Sequence, residues 1–239
     1  MESTWDDVIS VAQRRRLRRQ HNTLSEWDDT LDRMKAKRAR LQMEGLWYHG
    51  RPDLLRIIGR GRREIYHSQM LAWLLDPGTP SGLEHRFLVE FLRRLDESFG
   101  ELEVEELYRA QVACEVVGAE SRTDLLIRGE TFTVAIEVKV DAGEGKEQLA
   151  RMYRDYEPSP DPRFVFLTPG ASPPRTHGDV PIETFHLMGF REVRDCLRTV
   201  LDALGALDTP PASLFESGRP EGGIATCLAY LSTLEREFI

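Results

Sequence analysis

Lysine is almost missing from this sequence: of 32 basic residues 28 are arginine, and only Lys35, Lys37, Lys139 and Lys146 break the pattern. In such a chain a position that takes lysine carries information. Cysteine is scarcer still. Cys114, Cys196 and Cys227 are scattered, odd in number and form no Cys-x-x-Cys pair. That excludes a disulfide framework and a zinc knuckle, and predicts buried or idle thiols. Long apolar runs are absent too. No stretch of ~18 apolar residues occurs, nor a charged segment followed by the apolar core of a secretory signal, so the expectation is a soluble, cytoplasmic protein with no membrane partner. There is no internal repeat and no low-complexity tract. What is present, 239 residues of which 41% are hydrophobic, can bury a sizeable core. At roughly 100–200 residues per domain it makes one large domain, or one domain with an appendage.

A net charge of −8 would ordinarily discourage a nucleic-acid partner, but the charge is uneven. Residues 1–63 hold 15 basic against 9 acidic side chains, and residues 64–239 hold 17 against 31. A basic front is joined to an acidic body. Residues 5–20 and 24–44 read as two polar helices with thin apolar stripes. The run Arg14, Arg15, Arg16, Leu17, Arg18, Arg19 is either a phosphate-contacting face or a solvated one.

Residues 62–75 predict a helix stopped at Asp76-Pro77-Gly78, and 83–99 predict another, with Leu83, Phe87, Leu88, Phe91, Leu92, Leu95 and Phe99 at helical spacing. From residue 107 the period changes. Segments 110–117, 122–128 and 132–140 read as strands, 144–157 as a helix, and 163–168 and 182–187 as further strands. Residues 169–181, with four prolines and two glycines, form a surface loop. Residues 208–223 form a connector before a last helix at 224–238. The order implies a mixed sheet flanked by helices, of α/β (α+β) class. The expected organisation is a basic helical extension over 1–60, a core over 61–207, and a connector with a C-terminal helix packed on the core over 208–239.

The chemistry concentrates in Arg122-Thr-Asp124-Leu-Leu-Ile-Arg128, Gly129-Glu130, and Thr131 to Val140. Side chains of a strand alternate, so Val134, Ile136, Val138 and Val140 share one face while Ala135, Glu137 and Lys139 share the other. Any even-length loop sets Asp124 on the face of Glu137 and Lys139. A turn of Gly129-Glu130 alone leaves it diagonal to Glu137, a loop over 129–132 puts it directly opposite, and a three-residue loop flips it away. Two adjacent carboxylates repel unless a cation sits between them, and oxygen ligands suit Mg²⁺ or Mn²⁺. The Val138 carbonyl stands between the two side chains and could complete the sphere. A neighbouring lysine can stabilise charge on a phosphoryl oxygen, or orient and help deprotonate an attacking water. All three side chains would project from a solvent-accessible face. The same three residues would also arise as a weak cross-strand ion pair on an exposed strand.

Asp124, a twelve-residue gap, then Glu137-Val138-Lys139, followed by a helix carrying Gln148, resembles the PD-(D/E)xK nuclease superfamily, as does the upstream stretch from Glu64 through His67 and Ser68 to Asp76-Pro77 with Phe87-Leu88. The likeness covers roughly residues 60–170 and belongs to a prokaryotic branch. It implies a restriction-endonuclease-like mixed central β-sheet flanked by helices, with the N-terminal helices as an extension. It also implies a Mg²⁺-dependent nuclease, Mn²⁺ substituting, that hydrolyses phosphodiesters, of DNA before RNA, in a defence or repair setting. Asp124 and Glu137 would be metal ligands, Lys139 the catalytic lysine, Gln148 part of the site, and Glu64 a further acid. Thr123 stands where a proline often does, and Met152 where exonuclease-like members carry tyrosine. Leu149, Met152, Tyr153 and Tyr156 make a core-type stripe.

Glu64, His67, Ser68 and Leu71 share a helix face. Glu64 there is either a ligand or a favourable helix-terminal charge, and His67 is a structural residue. Two other functions compete: a catalytically silent nucleic-acid-binding or scaffolding module of the same fold, and a metal-free helical ribonuclease, since Arg62/His67 and Arg16/His21 match Arg-x4-His. A basic arm on an acidic body also suits a targeting partner protein, and a homo-oligomer is compatible with the sequence.

Overall fold

The computed structural model describes residues 27–38, 40, 53–141, 143, 145, 147–207 and 221–238. The chain divides into two units, Met1–Gly50 and Arg51–Ile239. In the first, helix α1 spans 27–38, inside the helix expected over 24–44, and its stripe residues Trp27, Leu31 and Met34 are exposed. An exposed Lys35–Asp32 pair at 3.1 Å decorates it. The expected helix over 5–20 and the arginines 14–16, 18 and 19 lie outside the described residues.

The second unit begins with α2 (Leu54–Ile57) and α3 (Glu64–Leu75). Helix α3 stops where expected, because Asp76 turns its carboxylate back to accept from the Gly78 N–H at 2.8 Å and Pro77 cannot continue the helix. Helix α4 is shorter than its apolar spacing suggests, Arg86–Leu95. Positive φ at Gly82 and Glu84 precludes an earlier start, and Asp96 caps a separate 3₁₀ turn, Glu97–Glu101, through the Ser98 N–H. A short helix α5 follows, Val104–Arg109.

Five strands form one sheet in chain order: β1 (Gln111–Val117), β2 (Arg122–Arg128), β3 (Thr133–Val138), β4 (Pro162–Thr168) and β5 (Phe185–Gly189). The first three run antiparallel as a meander, while β3, β4 and β5 are parallel. Helix α6 (Gln148–Tyr156) makes the crossover from β3 to β4. The last strand starts at Phe185 rather than 182, because residues Ile182–Thr184 close a 3₁₀ turn behind Pro181. It runs directly into α7 (Phe190–Ala203), and α8 (Glu221–Glu237) follows. This is the mixed, helix-flanked α/β sheet expected.

Both sheet faces are covered. Leu125, Ile127, Val134, Ile136, Val138, Val165 and Leu167 face the large core built with Leu71, Phe87, Phe91, Phe190, Leu197 and Leu231 from the helices. On the other face Leu126, Ala135, Phe164, Phe166 and Phe185 lie under Leu149, Met152 and Tyr156 of α6. Every residue of β3 is therefore buried. The expectation that Glu137 projects from a solvent-accessible face is overturned, because α6 roofs that face. Among the described residues, no helix is long and apolar enough to cross a membrane.

Candidate active site

The β2–β3 turn decides the site. Arg128 pairs with Thr133, and the Gly129 N–H donates to the Phe132 carbonyl at 2.9 Å, so the loop is 129–132, the longer of the even loops. Only glycine fits at 129: a Cβ there would collide with the Phe132 ring, which is turned into the core against Phe99. The register continues through Leu125–Ile136. One step further it sets Asp124 opposite Glu137.

At that step the ladder opens. The Val138 N–H donates to Asp124 Oδ2 at 2.8 Å. On the other side of Asp124, Glu115 has a positive φ of 52°, and the β1–β2 pairing skips from Cys114–Leu125 to Val116–Thr123. There the partly buried Asp124 carboxyl serves as an acceptor beside Glu137 rather than as a member of a regular ladder pair.

Glu137 is 1% exposed. Its Oε1 accepts from Lys139 Nζ at 2.5 Å and from Gln148 Nε2 at 2.6 Å, Gln148 being the first residue of α6. Its Oε2 is buried and has no hydrogen-bond partner among the described residues. Burial, and then the charge of Asp124, push the Glu137 carboxyl up to about 8. Burial also raises Asp124, against the opposing pull of the Val138 N–H and Lys139. For Lys139 burial works against the ammonium, but the charge and hydrogen bond of Glu137 outweigh it and the pKa rises.

Glu64 opens α3, and its Oε1 accepts from the Val140 N–H at 2.8 Å while Oε2 lies 4.0 Å from Lys139 Nζ. Its carboxylate thus reaches the end of β3, a bond that joins residues 76 apart and that no local pattern announces. An open cleft lined by Gly59, Arg62, Arg63, Glu64, Ile65 and Asp141 borders it. The structure brings Glu64, Asp124, Glu137, Val138, Lys139 and Gln148 together.

His67 is fully buried between the Tyr230 hydroxyl at 3.0 Å and the Gly61 carbonyl at 2.8 Å. Burial holds its pKa down to about 4, and Arg62 is bonded to Asp141 instead. The pair Arg62/His67 is thereby unsuited to metal-free ribonuclease chemistry. The cysteines are free thiols, Cys196 and Cys227 buried and Cys114 partly so.

Among the described residues no group of three or more His, Cys, Asp or Glu side chains stands ready to hold a metal ion. The fit to a cation rests on two facing carboxylates and the orphaned Glu137 Oε2. A buried oxygen without a donor is costly, and a hard divalent ion is the partner an all-oxygen set accepts.

A mixed five-stranded sheet with Asp124 paired to Glu137-x-Lys139 at the end of its central strand defines a restriction-endonuclease-like protein. The chain belongs to the PD-(D/E)XK nuclease superfamily, whose family model matches residues 52–197. No curated protein and no solved structure is similar enough to the chain to be matched.

Proposed function

We propose that the chain is a Mg²⁺-dependent nuclease, with Mn²⁺ able to substitute, that hydrolyses the phosphodiester bonds of DNA. The observation that carries this reading is the buried Glu137 carboxyl beside Asp124, with one oxygen bonded to Lys139 and Gln148 and the other without a partner among the described residues. Asp124, Glu137 and the Val138 carbonyl would hold the ion, with Glu64 as a further acid. When bound, the ion supplies Lewis-acid stabilisation of the phosphoryl oxygens.

The remaining work falls to the chain. Lys139 keeps an ammonium within 2.5 Å of Glu137, where it can stabilise charge developing on a phosphoryl oxygen and orient the attacking water. Gln148 fixes the rotamer of Glu137, so the carboxylate need not reorganise during reaction. Helix α6 excludes water from one side of the pair, which strengthens each charge interaction there. Arg14, Arg15, Arg16, Arg18 and Arg19 would add sequence-independent phosphate contacts. The prokaryotic defence or repair setting, and the preference for DNA, rest on the family resemblance.

The test is to incubate the purified chain with single- and double-stranded DNA and RNA, each with Mg²⁺, with Mn²⁺ and with chelator. Cleavage of DNA that chelator abolishes is the expected result. Cleavage that persists in chelator, or none under any condition, refutes the proposal.

A further inference from the structure

Residues 139–141 lie beyond the last strand pair of β3, and each is pinned by a different part of the molecule. The Lys139 N–H donates to the Leu167 carbonyl of β4 at 2.9 Å, the Val140 N–H to Glu64 at 2.8 Å, and the Asp141 carboxylate accepts from Arg62. The last contact is a fork: Nε to Oδ2 at 2.9 Å and Nη2 to Oδ1 at 2.6 Å. The third nitrogen of Arg62 donates to the Glu237 carbonyl at the end of α8, at 3.1 Å. Its guanidinium carbon lies 5.6 Å from the centroid of the Phe238 ring, which is stacked on Phe190 at 4.1 Å. The Asp141 hydrogen bond raises the Arg62 pKa, and Arg62 lowers that of Asp141. One arginine therefore ties the approach to α3, the exit of β3 and the end of α8 to an aromatic stack.

Its location gives the clamp its meaning. Arg62 is two residues before Glu64, and Asp141 is next to Val140, the partner of Glu64, and two residues after Lys139. We propose that the Arg62–Asp141 fork, seated on the Glu237 carbonyl and Phe238, is a positioning device that sets Glu64 and Lys139 against Glu137. This rests on the catalytic reading of that cluster. Both partners are half-exposed, 42% and 58%, so the pair adds little to global stability. Its function is directional. A planar fork against a carboxylate fixes orientation in a way a point charge does not.

The test uses the full chain carrying Arg62→Ala, Asp141→Ala, both together, and Arg62→Lys. Each single change should lower kcat by about tenfold to a hundredfold, the usual cost of an ångström-scale misplacement, with KM and melting temperature close to wild type. The double variant should be no worse than either single one, and Arg62→Lys should resemble Arg62→Ala. Amide hydrogen exchange at Val140 should accelerate in each variant while that of Val134 and Ile136 stays unchanged. Full turnover in Arg62→Lys would mean that charge alone suffices, and a rise in KM confined to the Arg62 variants would mean that Arg62 touches substrate. Either result overturns the proposal, as does unchanged exchange at Val140. A wild-type chain that cleaves nothing refutes the nuclease reading only, since the exchange comparison still decides the clamp.

Discussion

Replacing Glu137 by glutamine should remove activity and, at neutral pH without metal, make the protein more stable. Burial and Asp124 hold the native carboxyl near 8, whereas in the unfolded chain it titrates near the ordinary 4.5. Between those values the native state keeps a proton that the unfolded state has released, so this site's contribution is fully present below about 4.5 and is lost as pH rises toward about 8. At about 1.4 kcal/mol per pH unit the loss reaches on the order of 3 kcal/mol by pH 7. Lys139, with its pKa raised, titrates above this window and does not offset the loss. Glutamine is the neutral isostere of the protonated acid and keeps an acceptor for Lys139 and Gln148.

Urea unfolding in chelator at about pH 5, 7 and 8.5 reads the effect. Wild type and Glu137→Gln should agree within about 1 kcal/mol near pH 5, with the variant ahead by a few kcal/mol at pH 8.5. Mg²⁺ should then restore wild type alone, by roughly 2.7 kcal/mol at a hundredfold excess over Kd. A stability difference that stays flat across this pH range would refute the argument, because it would mean that Glu137 is as well solvated or paired in the native state as in the unfolded chain.

Asp124→Ala and Lys139→Ala should each reduce cleavage by at least about a hundredfold, with divalent-ion binding by calorimetry weakened in the first and retained in the second. Glu64→Gln keeps an acceptor for the Val140 N–H, so turnover lost at an unchanged melting temperature assigns its charge to chemistry, whereas normal turnover reduces it to a structural tie. Deleting residues 1–20 should weaken nucleic-acid binding and flatten its salt dependence, measured as the slope of log affinity against log salt, while hydrolysis at saturating substrate persists.

The pairing of Asp124 with Glu137 was legible because strand parity is discrete: two of the three loop lengths considered put both carboxylates on one face. Which even loop forms depends on Phe132 swinging over Gly129 into the core, a packing event with no local signal. The apolar face of β3 was equally legible, since Val134, Ile136 and Val138 alternate. Its polar face misled for a physical reason: Glu137 and Lys139 look solvated by type, and α6 covers them only because the β3–β4 crossover must pack on one side of the sheet. Helix α7 was not separately legible, because β5 leads into it at Phe190 without a turn.

The misjudged burial matters more than a boundary error, for it changes what holds the site together. On an exposed face Glu137 and Lys139 would form a screened pair with little effect on stability or on each other's protonation. Under α6 burial and the Asp124 charge hold a proton on Glu137 against the pull of Lys139, and an oxygen without a partner among the described residues is left inside the fold. Folding alone would favour glutamine or leucine at this position. The chain instead keeps an acid where it is expensive, bonds it to Lys139 and Gln148, and sets beside it Asp124, which the Val138 N–H holds. A costly buried acid beside a second carboxyl is the arrangement that binding of a cation would relieve, which is why the Mg²⁺ arm of the urea experiment bears on the proposed function as well as on the stability of the fold.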